Sequence, residues 1–422
     1  MTFYYGGTVP LTGTDPKVLA AHLGRPAIVA VTPLGNEARG VEAVHSIGAK
    51  AYRYIQFYWG PNDEDYEGLN LKAHPDWAFC SSGSTPSLGR TTDGGAKKWY
   101  FIDTNESAVR ARIAQILAGF KADGWDGVMF DRGEAATQYA KDANGRPVWS
   151  RQSTCTRSPY KSGARFADAY VSMVGLAHKA GLQVMMNNGK SPFDPVTPMR
   201  PNPADSNCQN ANWTKCTYLS DAWPNIDLVL NETAGRPKDE LWDRTFVANM
   251  RSEQDAAHGK RTVGLITTAT LGGKINQTRS RVFYQWSRIK LFDLAVAVNT
   301  GDDNCASASD KDAVCNRYGV YPDLVNMRFG SPLAKAPLTQ GCVSGSKVNC
   351  VWVRRYAKGV NVVNVSSQLR SSELVQLGTA TCRYVYNVYE RKPMAGNLCV
   401  KNVRVNLSAW SGRPLKYSTQ PW

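Results

Sequence analysis

Two carboxylate residues follow apolar segments of this sequence and could act together as an acid and a base. Asp131 lies in GVMFDR, residues 127–132, and Glu232 ends IDLVLNE, residues 226–232. Cleavage of a glycosidic bond needs such a pair, because one carboxylic acid protonates the leaving oxygen while the other group attacks the anomeric carbon or activates water. We therefore take Asp131 as candidate nucleophile or base and Glu232 as candidate acid/base.

Other polar and aromatic residues stand at or near the ends of apolar segments and could bind a sugar. The candidates are Tyr5, Gln56, Trp59, Glu134, Asn188, Asn299 and Asp302. The acidic candidates also have a structural interpretation. An acidic residue at a strand end can cap a helix or anchor a loop, and Asp302 can belong to a turn. Asp103 precedes Glu106 by three residues, which is typical of a helix N-cap.

The elements that must position these side chains are eight apolar segments, typical of strands buried on both faces. They are residues 2–7, 27–33, 51–59, 127–132, 182–189, 226–232, 262–270 and 294–299. Helical patterns at 106–124, 162–181 and 237–259 lie between them and end at Gly124, Gly181 and Gly259. Repeated strand–helix alternation predicts a (β/α)8 TIM barrel, whose chemistry lies at the C-terminal ends of its strands.

The alternation of side chains along a strand connects the two carboxylates. With a period of 2, Asp131 shares a face with Met129, and Glu232 shares a face with Leu230. If these faces point inward, both carboxylates lie at the mouth of the barrel. The long segments that follow the strands, roughly 60–102, 133–162, 190–222 and 299–320, would then surround that mouth.

The pattern changes after about residue 330, where short alternating strands with turn residues between them predict a small antiparallel β-sandwich domain. We divide the chain into a catalytic barrel, residues 1–332, and a β domain, residues 333–422. No run of about 18 apolar residues occurs, so we expect no membrane span. The net charge is +15, but the basic residues form no block of five or six, which disfavours nucleic acid as a partner.

Ten cysteines indicate disulfide bonds, since none forms a CxxC pair and the five histidines lie apart from them. The predicted bridges are Cys80–Cys155, Cys208–Cys216, Cys305–Cys315, Cys342–Cys350 and Cys382–Cys399. Disulfides imply an oxidising compartment and therefore a secreted protein. The sequence begins MTFYYGG without a signal peptide, so we expect this numbering to be that of a mature chain.

Several stretches resemble a known group of proteins. The segment FIDTNESAVRARIAQILAGFKADGWDGVMFDRGE, the later NNG and LVLNE, and WVRRYAKGVNVVNVSS resemble hypothetical glycoside hydrolases related to endo-α-1,4-polygalactosaminidase-like barrels. In those proteins a small β domain follows the barrel, and carboxylates on the fourth and sixth strands do the chemistry. The resemblance assigns these roles to Asp131 and Glu232, and puts Asn188 near the substrate.

The prediction is therefore a secreted, monomeric glycoside hydrolase that acts on a microbial or cell-wall polysaccharide without a cofactor or metal ion. One alternative is a non-catalytic barrel that binds carbohydrate on aromatic side chains. Another is a metal-dependent polysaccharide hydrolase or deacetylase. That chemistry needs clustered histidine ligands at strand ends, and none of the five histidines ends a predicted strand.

The cysteine spacing gives a prediction that peptide mapping checks. Digestion without reduction should yield the five bridges named above, and a free thiol or a crossed pairing would contradict this scheme. Removing one bridge should lower the free energy of unfolding by about 2–5 kcal/mol.

Overall fold

The computed structural model describes the eight barrel strands with part of the chain between them, and most of the β domain. These are residues 2–6, 26–31, 37–56, 59–61, 68–78, 80–82, 85–86, 88–92, 97–104, 106–130, 172–187, 200–201, 206, 218–219, 226–231, 261–267, 286–287, 290–291, 295–299, 326–334, 337–342, 350–366, 368–409 and 411–422.

The strands of the first domain are numbered in chain order. They are β1 (Thr2–Gly6), β2 (Ile28–Val31), β3 (Lys50–Ile55), β4 (Trp59–Pro61), β5 (Cys80–Ser82), β6 (Thr85–Pro86), β7 (Leu88–Thr92), β8 (Lys97–Phe101), β9 (Gly127–Phe130), β10 (Gln183–Asn187), β11 (Arg200–Pro201), β12 (Tyr218–Leu219), β13 (Leu228–Asn231), β14 (Arg261–Thr267) and β15 (Ala295–Asn299). The described helices are α1 (Glu37–Ser46), α2 (Ser107–Ala122) and α3 (172–179), with a 3₁₀ turn at Pro75–Trp77.

Eight parallel strands close into a barrel and confirm the predicted (β/α)8 fold. The barrel strands are β1, β2, β3, β9, β10, β13, β14 and β15, and each pairs with its neighbours in chain order. The first pairs with the eighth, where Tyr5 is in register with Asn299. All eight predicted strand segments are therefore barrel strands.

The helices follow the predicted pattern with one correction. Gly124 and Gly181 have φ of +92° and +80°, the left-handed conformation that ends a helix. The N-cap of α2 is Glu106, so the assignment of Asp103 as N-cap is wrong. Asp103 is fully buried, and its backbone N–H donates to the carbonyl of Trp77 at 2.8 Å, because it continues the chain that leaves β8. The predicted helix 237–259 and Gly259 lie outside the described residues.

The segment after the third barrel strand forms small antiparallel sheets. β4, β8 and β7 make a three-stranded sheet, and β5 pairs with β6. The third barrel strand ends at Ile55, so the prediction that it reaches Trp59 is wrong. Trp59 instead begins β4, where it pairs with Phe101, because the chain leaves the barrel and meets β8.

One carboxylate at the N-terminal end of the barrel joins a helix to two neighbouring barrel strands. The His45 Nε2 of α1 lies 2.8 Å from Oδ2 of Asp126, the residue before β9. The same carboxylate oxygen accepts the backbone N–H of Ala51 on β3 at 2.8 Å. Asp126 therefore ties α1 and β3 to the start of the fourth barrel strand.

The arrangement recurs two barrel strands further on. The His178 Nε2 of α3 lies 2.9 Å from Oδ2 of Asp227, which precedes β13. This oxygen accepts the backbone N–H of Val184 on β10 at 2.8 Å. In both units the histidine stands six residues before the bonded strand residue, so the third to sixth strands contain a structural repeat that we name the Asp–His clamps.

Residues 338–422 form the predicted antiparallel β domain. Its strands are β16 (Leu338–Gln340), β17 (Val351–Tyr356), β18 (Gly359–Asn364), β19 (Arg370–Gln376), β20 (Tyr384–Asn387), β21 (Lys392–Pro393), β22 (Asn402–Leu407) and β23 (Ser411–Ser418), with a 3₁₀ turn at Ala395–Asn397. A sheet in the order β16-β17-β18-β23-β20-β21 packs against the β19–β22 pair. Valine, leucine and tyrosine side chains from both sheets form one buried core, as in a sandwich.

Two of the predicted disulfides are confirmed in this domain, Cys342–Cys350 and Cys382–Cys399. Each of the other three predicted bridges involves a cysteine outside the described residues. Within the described part of the chain, no helix is long and apolar enough to cross a membrane.

Aromatic side chains join the β domain to the barrel. The Phe329 ring lies 5.4 Å from that of Trp286 and 5.7 Å from that of Tyr356, measured between centroids. The Tyr356 hydroxyl donates to the carbonyl of Lys290, which lies beside Leu291 before the eighth barrel strand. Burial of these rings supplies the apolar part of the contact between the domains.

The clamps give a stability prediction. Asp126→Ala should lower the free energy of unfolding by about 1–2 kcal/mol, because the Ala51 N–H and the His45 ring lose a charged acceptor that is partly exposed. Denaturant unfolding of the whole chain, followed by circular dichroism, measures this change.

Asp123→Ala is the matched control, since Asp123 is an exposed carboxylate three residues away at the end of α2. Equal losses in the two variants would show that the clamp at Asp126 does not hold the barrel.

Candidate active site

A layer of inward-facing side chains fills the lumen of the barrel. Its members come from the second to sixth barrel strands: Ile28, Ala30, Tyr52, Met129, Met185, Leu228 and Leu230. Arg53 lies on the opposite face of its strand, with its guanidinium over the rings of Phe120 and Trp125. Met129 and Leu230 therefore face the lumen. Each lies on the strand face that the alternation predicts for the candidate carboxylate two residues later.

The lower part of the lumen is built around Tyr52. Its hydroxyl donates to Oε1 of Gln183 at 2.8 Å, and Lys50 Nζ donates to the same oxygen at 2.9 Å. Burial raises the pKa of Tyr52 above its usual range, and the nearby carboxylates of Asp227 and Asp126 add to this effect. Tyr52 therefore remains a neutral hydrogen-bond donor.

Gly127 leaves the space that the Tyr52 ring occupies. A Cβ atom at this position would lie 2.6 Å from Tyr52 Cε1 and 2.7 Å from the backbone carbonyl oxygen of Gln183. Neither neighbour can move freely, because the tyrosine is buried and the carbonyl belongs to the adjacent strand. The first residue of the fourth barrel strand must therefore lack a side chain.

Gln56 lies directly after the third barrel strand, at the end where the catalytic face is expected. It is buried, and its side-chain amide donates to the hydroxyl of Tyr54 at 2.7 Å. Tyr54 packs against the lumen cluster. This pair brings hydrogen-bonding groups to the upper part of the lumen.

The backbone register brings two other candidates together. Tyr5 on the first barrel strand is aligned with Asn299 on the eighth and with Ala30 on the second. Tyr5 and Asn299 thus lie side by side where their strands end. Trp59, in contrast, lies on β4 of the small sheet rather than at the end of a barrel strand.

The remaining candidates, Asp131, Glu134, Asn188, Glu232 and Asp302, lie outside the described residues. The strands that lead to the carboxylates are described, since β9 ends at Phe130 and β13 ends at Asn231. Between them, the fifth barrel strand aligns Met186 with Phe130 and with Val229. The fourth and sixth strands are thus separated by a single strand.

Two of the three described histidines lie at the N-terminal end of the barrel, and the third stacks on a tryptophan ring. His45 and His178 belong to the clamps at the N-terminal end, and His74 stacks on Trp77 with ring centroids 4.0 Å apart. No group of three metal-binding side chains occurs among the residues that the structure describes.

Sequence reasoning missed Tyr52, Gln183 and the clamps. The one signal for the clamps is a histidine three residues before the helix-ending glycine, seen at His45 with Gly48 and at His178 with Gly181. That signal has meaning only when an aspartate also precedes the next barrel strand.

Comparison with solved structures shows the fold. Eubacterium rectale Amy13B aligns with a TM-score of 0.54 and 10% identity, over 99% of this chain and 95% of that chain. An alpha-amylase from Malbranchea cinnamomea gives 0.53 and 11% identity, over 99% and 96%. An alpha-amylase from H. orenii gives 0.53 and 10% identity, over 99% of both. Comparisons with protein families and with curated proteins find no match to this sequence.

The lumen gives a prediction for Gly127→Ala. The added methyl group should lower the free energy of unfolding by about 1–3 kcal/mol, because Tyr52 and the fifth barrel strand must shift. Chemical denaturation measures it. Gly119→Ala is the control: Gly119 lies within α2 with no atom near its Cβ position, so alanine there should stabilise the helix by up to about 1 kcal/mol. If Gly127→Ala left the free energy of unfolding unchanged while Gly119→Ala lowered it, the proposed packing of Tyr52 against Gly127 would be wrong.

Proposed function

We propose that this protein is a glycoside hydrolase that uses Asp131 and Glu232 to cleave a polysaccharide. The observation that supports it best is the inward orientation of Met129 and Leu230, two residues before the respective carboxylates. Continued alternation would direct both acidic side chains toward the lumen, at the strand ends where barrel enzymes carry their chemistry.

The clamps support equal heights for the two carboxylates. Asp126 stands five residues before Asp131, and Asp227 stands five residues before Glu232. Each clamp fixes the start of its strand against a neighbouring strand. Because an equal number of residues then leads to each candidate, we expect the two carboxylates at similar heights in the barrel. This correspondence favours two groups that face a common substrate.

The strand order supports a separation suited to glycosidic cleavage. Neighbouring strands lie about 4.8 Å apart, so the fourth and sixth strands are roughly 10 Å apart across the fifth. Side chains that converge on the lumen shorten this distance toward the range of about 5–9.5 Å over which retaining and inverting carboxylate pairs operate.

In the proposed mechanism Asp131 attacks the anomeric carbon or activates water, while Glu232 protonates the leaving oxygen. Gln56, Tyr5 and Asn299 offer hydrogen bonds around the mouth. The proposal extends the substrate site to Trp59, Glu134, Asn188 and Asp302, from sequence position alone. The likeness in fold to alpha-amylases and the resemblance to polygalactosaminidase-like barrels both favour a sugar polymer.

We further propose that the protein works outside the cell, as a monomer with the barrel at 1–332 and the β domain at 333–422. The two disulfides of the β domain support this location, since such bonds persist in oxidising compartments.

Substitution of the carboxylates tests the mechanism. Asp131→Asn should abolish turnover while leaving the circular dichroism spectrum unchanged. Glu232→Gln should slow substrates with poor leaving groups by about 10²–10⁴-fold and activated aryl glycosides far less, because aryl leaving groups need little protonation. A polysaccharide screen followed by kinetics on the responding linkage measures both effects.

Asp123→Asn replaces an exposed carboxylate at the C-cap of α2; it is the activity control and should retain wild-type rates. Wild-type activity in Asp131→Asn would remove Asp131 from the mechanism. Equal losses on both kinds of substrate would mean that Glu232 is not the proton donor. Sugar binding without turnover by the unmodified protein would instead favour a carbohydrate-binding barrel.

A further inference from the structure

The positive charge of this protein is concentrated in its β domain. Residues 333–422 contain thirteen Lys and Arg residues against two Glu residues, a net charge of +11. Residues 1–332 contain thirty-seven basic and thirty-three acidic residues, a net charge of +4. The sequence has no run of basic residues, yet the domain of 90 residues holds most of the excess, and such an asymmetry indicates an anionic partner.

The carboxylates of the domain cannot neutralise this charge. Glu390 forms an ion pair with Lys392 at 2.9 Å. The other carboxylate, Glu373, accepts a hydrogen bond from the Gln340 side chain at 2.9 Å. Two carboxylates therefore stand against thirteen cationic residues, and among these Lys358, Lys401 and Lys416 are exposed.

An aromatic platform lies on the outer face of the larger sheet. The rings of Tyr386 and Trp422 lie 5.0 Å apart, and Lys416 Nζ lies 5.0 Å from the Trp422 ring. Lys416 is in register with Tyr386 on one side and with Gly359 on the other. We define the platform as Tyr386, Lys416 and Trp422.

The surroundings of the platform are cationic and accessible. Lys358 precedes Gly359, the register partner of Lys416, and both lysines are exposed. Trp422 keeps 39% of its surface exposed. An indole ring beside lysines can stack on the apolar face of a sugar while the ammonium groups bind its carboxylate or sulfate substituents.

The backbone of Trp422 is held in place by one side chain. The Asn397 Nδ2 donates to the carbonyl of Trp422 at 3.2 Å, and the Trp422 N–H donates to Asn397 Oδ1 at 3.1 Å. Asn397 and Ala395 both have positive φ, 58° and 50°, in the same turn. For alanine this conformation costs about 1–2 kcal/mol, so the fold maintains an unfavourable turn next to the tethered tryptophan.

We propose that this platform is a binding site for an anionic polysaccharide, separate from the barrel lumen. The exposed tryptophan and the partly exposed tyrosine favour a sugar polymer over a lipid surface. Charge complementarity favours an acidic polymer over a neutral one. Binding at the platform requires no turnover and so does not depend on the proposed function. Only the further statement that the bound polymer is the enzyme's substrate rests on the proposed function.

Binding to polygalacturonate, amylose and double-stranded DNA tests the proposal. The whole chain carrying Asp131→Asn, which prevents hydrolysis, is compared with the same chain carrying Trp422→Ala or Lys416→Gln. Trp422→Ala should raise the Kd for polygalacturonate at least about tenfold. Lys416→Gln should raise it about two- to fivefold at 0.05 M salt, and less at 0.2 M salt. Amylose should bind the starting chain at least about tenfold more weakly.

Leu374→Ala and Lys401→Gln are matched controls, because both residues are exposed and belong to the smaller sheet or its approach. They should leave the Kd unchanged. Unchanged polygalacturonate binding in both platform variants would overturn the proposal, as would equal binding of amylose. DNA binding as tight as that of polygalacturonate, and equally sensitive to Trp422→Ala, would reassign the surface to nucleic acid.

A small aryl glycoside separates this proposal from the catalytic one. Trp422→Ala with Asp131 intact should hydrolyse that substrate at the wild-type rate and an acidic polymer more slowly. If the wild type did not hydrolyse the aryl glycoside, the proposed glycosidase function would be contradicted. The platform proposal would then be judged by the polygalacturonate binding experiment.

Discussion

The closure of eight parallel strands into a barrel is the constraint on which the rest of this structure depends. Closure leaves each strand one inward face, and the lumen has room for only a few large side chains. The Tyr52 ring fits in the lumen because Gly127 has no side chain. Met129 and Leu230 pack in the same cluster, nearer the C-terminal ends of their strands. Within the described strands, this packing sets which residues face the lumen.

The Asp–His clamps address a second requirement, the relative height of the strands. A parallel strand shifted by one residue would turn its inward residues outward. Asp126 and Asp227 each accept the N–H of a neighbouring strand, so the fourth and sixth strands start from fixed positions. The clamps lie at the end opposite to the proposed chemistry, where residues in this fold serve stability.

The β domain divides its surface between two roles. One end of its larger sheet meets the barrel through Phe329 and Tyr356, which pack with Trp286. Further along the same sheet, Tyr386 and Trp422 remain accessible beside Lys416. A glycan bound there would share one rigid sheet with the domain contact, which would keep a polymer close to the barrel.

Local sequence patterns predicted the eight barrel strands, the glycines that end two helices, the β domain and two of its disulfides. These features depend on local periodicity and spacing, which a single chain displays directly. The sequence alone could not show that the third strand ends at Ile55, that Asp103 is buried and bonded to the Trp77 carbonyl, or that Asp126 meets His45, because those outcomes depend on contacts between distant segments. That Met129 and Leu230 face one lumen required the folded barrel, since alternation defines two faces of a strand and closure selects the inner one.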